Sequence, residues 1–368
     1  MSLDQNNGGE FRFYTYDPED GTEPVDLLSV TSIRNLCGEG YQLVAWKLAN
    51  LADAALGTMK RTVIGPRGGV SEKRQVWEYP CQFAQMYDAA VDDEGDASQA
   101  KVDELRKWLR GQADEPRNVA AVRGTMVHEA IEKNVEWDRI ERPYVEDAFL
   151  NLSSRDRKAV RRAVSDEDVY FVRNAVRHYW AMRAEMPMSI IAREVRVVNL
   201  EVGYAGTFDA LVWLHGTLEG DQFAPLTDTQ QVRIREFVQR NRDRVTLADV
   251  GRLGGTLVLL DWKTSKGVHT DQTVQAHAYL AAEFAVVNGV KDKRVTELLN
   301  AAQWGGLVHI RPSGWALHLF PYADEVVRAF LGSVAFARFL ARYPKPEAIF
   351  THTFKGISNE QEEEGDDD

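Results

Sequence analysis

The feature that most constrains the fold of this chain is a short apolar run that continues into a charged and aromatic tripeptide. Residues 257–260 read Leu-Val-Leu-Leu, follow two glycines and lead directly into Asp261, Trp262 and Lys263. Such a run is typical of a buried strand. Because side chains alternate between the two faces of a strand, Asp261 and Lys263 share one side, while Trp262 turns towards the core. The sequence therefore predicts a buried strand that brings a carboxylate and an ammonium group into one pocket.

A predicted hairpin carries further carboxylates. The β-rich stretch 204–213 contains Asp209, a similar stretch at 190–198 contains Glu194, and Gly203 supplies a turn signal between them. We expect this hairpin to join the same sheet as the apolar run. Glu194 either adds a carboxylate to the site or faces solvent, and the sequence leaves both choices open.

A histidine lies in a predicted helix upstream of these strands. Thr125 is a plausible N-cap, which predicts that His128 lies in the first helical turn, with Val127, Ile131 and Val135 facing the core. Taken alone, this histidine is more typical of a satisfied core or interface residue than of a ligand. Its acidic companions favour the functional interpretation.

The residues that follow the apolar run form another predicted helix, with Thr270 or Asp271 at its N-cap. Gln275 and Tyr279 are four residues apart and therefore point the same way. Both could flank the lysine and contact phosphate, although such a pair alone is usually surface decoration. His277 is predicted to be structural.

Together these residue types suit metal-dependent hydrolysis of a phosphodiester. A magnesium-like cation prefers hard oxygen ligands, polarises the phosphate and lowers the pKa of a bound water. Asp209 and Asp261 can provide such oxygens. Lys263 can orient or deprotonate the attacking water and can stabilise charge that develops on the phosphate.

The order of these elements resembles that of the RecB-like branch of the PD-(D/E)XK nuclease superfamily. The four matching elements are Gly124-Thr125-Met126-Val127-His128, Gly206-Thr207-Phe208-Asp209, Asp261-Trp262-Lys263-Thr264 and Gln275-Ala276-His277-Ala278-Tyr279. They span residues 124 to 279, and the specificity of the resemblance comes from their order. The stretch 28–33, followed by 43–46, is also similar to the opening of phage exonucleases of this branch. Trp46 in that stretch is equally explained by packing in a helical cap.

The resemblance implies a fold, a reaction and a division of roles. It implies an α/β, restriction-endonuclease-like core with a central mixed β-sheet flanked by helices, and cleavage of DNA, more often from its ends than internally. It implies Mg²⁺ or Mn²⁺ as the cofactor. The implied metal ligands are His128, Asp209, Asp261 and the main-chain carbonyl of Trp262. The implied role of Lys263 is to position water, and Gln275 and Tyr279 are implied to contact the substrate or the catalytic lysine.

The chain departs from its apparent relatives in two ways. Some relatives, including the nuclease of CRISPR adaptation, hold an iron–sulfur cluster with four cysteines, whereas this chain has only Cys37 and Cys81, so no such cluster is expected. The second departure is an insertion at about 216–255. Its basic residues either contact DNA phosphate or belong to a solvated helix. Those residues are Arg233, Arg235, Arg240 and Arg242. The same two choices apply to Arg155, Arg157, Lys158, Arg161 and Arg162.

Composition limits what the chain can be. Its 368 residues, of which 44% are apolar, are enough for a substantial core. We predict an N-terminal helical extension and polar connection over 1–118, a nuclease core over 119–345, and a C-terminal segment with an acidic disordered tail over 346–368. The tail contributes seven of the twelve net negative charges, so the acidity of the chain does not exclude a local basic channel.

These features predict a cytoplasmic DNA nuclease in replication, recombination or repair. The sequence contains no apolar span of transmembrane length, no signal peptide and no phosphate-binding loop, so any helicase or recombination partner would be a separate chain. The alternative is a DNA-end-binding module or helicase-associated subunit with the same fold and weak or no catalysis. Converging carboxylates argue against that alternative, because without a metal they repel phosphate.

Overall fold

The computed structural model of the protein describes residues 2–8, 11–18, 22–36, 99–160, 162–220 and 222–342, with short pieces at 59–60, 63–64, 70–72, 76–77 and 86. Cys37, Cys81, Trp46 and the acidic tail lie outside the described residues.

The secondary structure alternates between strands and helices. The strands of the central sheet and of the insertion are β1 (Ser2–Gly8), β2 (Phe11–Asp17), β3 (Val25–Ser29), β4 (Met188–Asn199), β5 (Tyr204–Leu214), β6 (Gly216–Glu219), β7 (Gln222–Pro225), β8 (Thr256–Lys263), β9 (Phe284–Val287), β10 (Val290–Lys291), β11 (Trp304–Arg311) and β12 (Gly314–Pro321). Four further short strands form two separate pairs, Met59–Lys60 with Val76–Trp77 and Val63–Ile64 with Val70–Glu72. The helices are α1 (Val30–Leu36), α2 (Gln99–Glu132), α3 (Arg142–Asn151), α4 (Ser154–Ala159), α5 (Asp166–Glu185), α6 (Asp228–Asn241), α7 (Leu247–Leu253), α8 (Thr270–Leu280), α9 (Lys293–Asn300) and α10 (Asp324–Arg342).

A mixed β-sheet forms the centre of this α/β fold. Its main path runs β1-β2-β3-β5-β8-β11-β12, with β4 paired to β5 and β9. The pairs β3–β5 and β8–β11 are parallel, whereas β4–β5, β5–β8 and β11–β12 are antiparallel. The predicted mixed sheet flanked by helices is therefore confirmed.

Strands β3 and β8 both pair with the same edge of β5, and the unpaired stretch between them leaves an opening in the sheet. Strand β4 occupies the other edge along the full length of β5. On the shared edge, residues 204–205 pair with β3 and residues 210–214 pair with β8. Residues 206–209 pair with neither strand on that edge. The opening ends at Asp209, and β8 continues past its last pair with β5 to carry Asp261 and Lys263 beside it.

Helices cover both faces of the sheet. On one face, α2, α3 and α5 pack on alternate residues of β5 and β8, among them Val212, Val258 and Trp262. On the other face, α1, α6, α8, α9 and α10 pack on the intervening residues, among them Trp213 and Leu259. This alternation confirms that Trp262 turns into the core, where it is 3% exposed.

Helix α2 differs from its prediction. The helix begins at Gln99, so Thr125 is an interior residue whose hydroxyl donates to the carbonyl of Ala121, and it does not cap the helix. His128 therefore lies near the C-terminal end of the helix and not in its first turn. Pro116 lies inside the helix and concealed its continuity, because proline normally interrupts a helix.

Much of the predicted N-terminal extension lies outside the described residues. Among the described ones, strands β1 to β3 belong to the central sheet, and helix occurs at α1, at residue 86 and from Gln99 onwards. The predicted boundary at 118 falls inside α2. The first strands and the predicted core thus share one sheet, because the β3–β5 pairing joins them.

Other predicted elements are confirmed. The β4–β5 hairpin turns at Gly203, whose φ is 75°. The insertion forms the β6–β7 hairpin followed by α6 and α7. Within the described residues, no helix is both long and apolar enough to cross a membrane.

Candidate active site

Asp209 closes the opening in the sheet. Its carboxylate is 8% exposed and accepts a hydrogen bond from the main-chain N–H of Trp262 at 2.5 Å. The side chain therefore replaces the backbone acceptor that a continued β5–β8 ladder would supply. Through this bond, Asp209 fixes the start of the polar segment of β8.

His128 joins this carboxylate to the same peptide segment. Its Nδ1 lies 3.2 Å from Asp209 Oδ1, and its Nε2 lies 3.0 Å from the carbonyl oxygen of Trp262. Burial lowers the pKa of His128, but the Asp209 carboxylate outweighs burial and raises it to about 9. Burial acts on Asp209 in the opposite direction, yet the imidazole holds the pKa of Asp209 below its ordinary value. In this arrangement the pair is an imidazolium and a carboxylate, and His128 would release its proton on binding a metal.

Asp261 and Lys263 form a buried ion pair on the same side of β8, as predicted. Their side chains are 5% and 14% exposed. Asp261 Oδ2 is buried, and no donor among the described residues reaches it with the geometry of a hydrogen bond. Burial raises the pKa of Asp261, an effect that Lys263 opposes and the charge of Asp209 reinforces. The second carboxylate thus keeps an oxygen whose only polar neighbour is the ammonium group.

Helix α8 holds Lys263 from the other side. Gln275 Oε1 accepts from Lys263 Nζ at 3.2 Å, and Gln275 Nε2 donates to the Tyr279 hydroxyl at 2.6 Å. Tyr279 is 2% exposed and packs against Gly206, where a Cβ atom would lie 2.5 Å from the tyrosine ring. Gln275 therefore contacts the lysine directly, whereas Tyr279 contacts Gln275.

Arg34 is a site residue that the sequence did not reveal. It comes from α1, and its Nη1 donates to Gln275 Oε1 at 3.0 Å, while its Nε lies 3.4 Å from Asp271. The oxygen of Gln275 therefore accepts from two cations, Arg34 and Lys263. Arg34 directly follows the stretch 28–33 that resembles phage exonucleases, and this proximity is the only sequence signal that pointed to it.

Glu194 faces a small cavity beside the site. The cavity, with a volume of about 10 Å³, is lined by Ile131, Glu132, Arg193, Glu194, Asp209 and Trp262. A volume of this size accommodates about one water molecule. Glu194 has a φ of 47°, a strained value for a residue with a side chain. Burial and the charge of Asp209 raise its pKa to about 8.

Glu132 is another residue of the site region that sequence reasoning missed. It lies four residues after His128, so the two share a face of α2. That spacing is visible in the sequence, but exposed glutamates at helical spacing are too common to single one out. The structure places Glu132 at the cavity with Glu194 and Asp209.

The arginines of the insertion lie away from this network. Arg233, Arg235 and Arg240 are exposed on α6, and Arg242 is exposed in the turn that follows. Arg235 bonds Gln231 and Arg240 bonds Glu236, both four residues away on the same helix. The charge of Arg242 reaches Arg193, which lines the cavity. Their predicted contact with nucleic acid stays a prediction.

The donor atoms suit a hard divalent cation. Two carboxylates, one imidazole and the Trp262 carbonyl converge, and the buried Asp261 Oδ2 lacks a hydrogen-bond donor. Among the described side chains, however, no three of His, Cys, Asp or Glu are already spaced as a ready-made metal cluster. The direct contacts of His128 with Asp209 and of Lys263 with Asp261 instead balance the negative charges.

No protein-family model matches this sequence, and none of the curated proteins matches it.

Proposed function

We propose that this protein is a divalent-metal-dependent DNA nuclease, built on a restriction-endonuclease-like core and acting as an exonuclease at DNA ends. One observation carries the proposal. His128, Asp209 and the segment 261–263 come from three distant parts of the chain, yet their polar atoms meet within hydrogen-bonding distance at the opening of the sheet. A purely structural role would not require two buried carboxylates so close together, since their mutual repulsion is unfavourable.

The residues that would hold the cation are His128, Asp209, Asp261 and the carbonyl of Trp262. A bound Mg²⁺ or Mn²⁺ polarises the scissile phosphate and lowers the pKa of water. Asp261 Oδ2 is buried and lies against the Lys263 ammonium group, so a bound cation would share this oxygen with Lys263. The hydrogen bond from the Trp262 N–H keeps Asp209 oriented towards the same point.

Lys263 supplies positive charge where the reaction needs it. Its Nζ is paired with Asp261 and is suited to donate hydrogen bonds to a phosphate oxygen and to orient the attacking water. Gln275 holds Nζ in place, and Tyr279 holds Gln275. Arg34 is a positioning residue in this scheme, because it bonds the same Gln275 oxygen.

Digestion of end-labelled DNA tests the proposal. Linear and closed circular DNA, single- and double-stranded, would be incubated with Mg²⁺ or Mn²⁺ and with wild type or Asp261→Asn. The matched control is Asp166→Asn, because Asp166 is 97% exposed and lies outside the site. We expect wild type and the control to degrade linear DNA from its ends, and Asp261→Asn to be inactive. Digestion of RNA of the same sequence would show whether the protein cleaves DNA in preference to RNA.

The possible outcomes separate the alternatives. Cutting of closed circles that depends on Asp261 would keep the site but make the protein an endonuclease. Binding of DNA ends without cleavage under either metal would replace the enzyme with a DNA-end-binding module. Equal cleavage by wild type and Asp261→Asn would remove this site from the reaction.

A further inference from the structure

Three arginines gather around one aromatic ring beside the candidate site. The guanidinium carbons of Arg123 and Arg311 lie 5.4 and 5.2 Å from the centre of the Phe171 ring. Arg162 lies close by, because it pairs with Asp168 one turn before Phe171 on α5. The three arginines come from α2, from the segment before α5 and from the end of β11. The fold therefore brings together three cations that are distant in sequence.

The carboxylates of this cluster pair with Arg123 and Arg162. Asp168 is buried and accepts from Arg123 Nε at 2.7 Å and from Arg162 Nη1 at 2.6 Å. The other acidic partner, Glu167, lies 3.4 Å from Arg123 and is 87% exposed. Among the described residues, no carboxylate pairs with Arg311.

Arg311 is half-buried in this position. Its Nη1 donates to the carbonyl oxygen of Thr264 at 2.6 Å. Burial and the charge of Arg123 both lower the pKa of Arg311. A partly desolvated cation beside a second cation is unfavourable unless an anion completes the group. The guanidinium retains further N–H donors that could meet such an anion.

The position of Arg311 relative to Lys263 indicates which anion this is. Thr264, which Arg311 holds, directly follows Lys263. Helix α2 packs closely against the same residue. At Gly124 of this helix, a Cβ atom would lie only 2.8 Å from Thr264 Oγ1. Because Arg311 bonds the residue that follows Lys263, the phosphate next to one held at Lys263 is the nearest anion of a bound strand that could complete the group.

We propose that Arg311, stacked with Arg123 on Phe171, binds a backbone phosphate of the nucleic-acid strand adjacent to the phosphate that is cleaved. The inference rests on the proposed nuclease function and adds a substrate contact to it. Arginine suits this role because its planar group stacks on the ring while its outer N–H groups form paired bonds to phosphate oxygens.

The salt dependence of DNA binding tests the contact. Binding of fluorescent DNA would be measured with Ca²⁺ in place of Mg²⁺, from about 50 to about 200 mM salt. The proteins are wild type, Arg311→Gln, Arg311→Lys and the control Arg173→Gln. Arg173 is the matched control because it also stacks on an aromatic ring, Trp137 at 5.6 Å.

Loss of one phosphate contact has a defined signature. For Arg311→Gln we expect binding weakened about three- to tenfold and a salt slope smaller by about 0.9 on duplex DNA or about 0.7 on a single strand. Arg311→Lys keeps the charge and should recover most of the slope. Arg173→Gln should match wild type. A structural role for Arg311 predicts instead a lower melting temperature with an unchanged slope, and that result would overturn the inference.

A modified substrate keeps the test decisive if Arg311→Gln folds poorly. A neutral methylphosphonate placed one linkage from the cleavage position should weaken binding of wild type and of Arg311→Lys more than the same change at a distant linkage. Equal weakening at the two linkages would contradict the contact. Absence of both cleavage and binding by wild type would refute the proposed function itself, whereas cleavage with an unchanged slope in Arg311→Gln would refute only this inference.

Discussion

Two regions of this protein carry charged and polar side chains in opposite ways. In the candidate site, most of the hydrogen bonds join residues far apart in the chain, up to 241 positions for Arg34–Gln275, although Gln275 and Tyr279 are only four positions apart. On α6, Arg235 and Arg240 bond residues four positions away on the same helix. The first set is largely buried and the second is exposed. Both regions are rich in charge, but only the first requires the tertiary fold.

This difference between buried and exposed groups shows which charged side chains indicate a functional site. Burial of a charge is unfavourable unless its partners compensate for it, so a buried network persists only where the fold is arranged around it. An exposed pair four residues apart on a helix contributes about 0.3–0.5 kcal/mol and is common in solvated helices. Charge density alone therefore does not mark α6 as a binding surface, whereas convergence marks the end of β8 as a site.

The largest expected effect is the loss of Lys263. Lys263→Ala should lower DNA cleavage about 10³-fold, because it removes a preorganised donor beside the reacting phosphate. It should also destabilise the fold by about 3 kcal/mol, since Asp261 would remain buried without its partner. Single-turnover cleavage and chemical denaturation measure the two effects separately.

Lys293 provides the control for this comparison. Its ammonium is 92% exposed and lies 4.0 Å from Glu297 on the same helix. Lys293→Ala should leave cleavage and stability close to those of wild type. Similar losses in the two variants would mean that burial and convergence do not distinguish the site.

The local elements of the site were predictable from sequence, whereas their connections were only partly so. The apolar run before Asp261 and the turn at Gly203 are local signals, and both elements have the predicted structure. The shared side of Asp261 and Lys263 follows from strand alternation alone. The resemblance to a nuclease family grouped His128 with Asp209, and the two are in contact.

What the sequence could not supply has physical reasons. Helix α2 continues through Pro116 because packing on α5 and the sheet outweighs the local cost of a proline. The pairing of β3 with β5 joins residues that are far apart in sequence, and no local pattern specifies such a partner. Arg34 reaches Gln275 across 241 positions for the same reason.

A buried histidine at the start of the insertion provides a second test of the contrast between buried and exposed groups. His215 directly follows β5, is fully buried and forms a hydrogen bond with the Ser189 hydroxyl at 2.9 Å. Burial, with the charge of Arg235, lowers its pKa to about 4. The unfolded chain binds a proton near pH 6.5, so His215 makes the folded state lose stability as the pH falls from 6.5 to 4. The loss should reach about 3 kcal/mol.

Denaturation across this pH range measures that loss. In His215→Gln the additional fall in stability should be absent, while His318→Gln, at an exposed histidine, should retain it. If wild type and His215→Gln lose stability in parallel, burial of the His215 imidazole does not cause the loss of stability at low pH.

Arg34 should have a smaller effect, confined to catalysis. Arg34→Met keeps much of the apolar stem but removes the bond to Gln275, so Lys263 loses part of its positioning. We expect kcat to fall on the order of tenfold with KM within about twofold, and Arg34→Lys to recover part of kcat. Arg252→Met, at a residue 61% exposed, is the control. A rise in KM with unchanged kcat would instead make Arg34 a substrate contact.

The smallest expected effect separates two arginines at the end of the insertion helix. Arg240 already pairs with Glu236, whereas no carboxylate among the described residues pairs with Arg242, whose charge reaches Arg193 at the cavity. Arg242→Gln should therefore weaken DNA binding a few-fold and lower the salt slope by about 0.9, and Arg240→Gln should change neither. Salt titrations of binding with Ca²⁺ measure both. Equal slopes in the two variants and wild type would leave α6 a solvated helix, because neither arginine would then neutralise a phosphate.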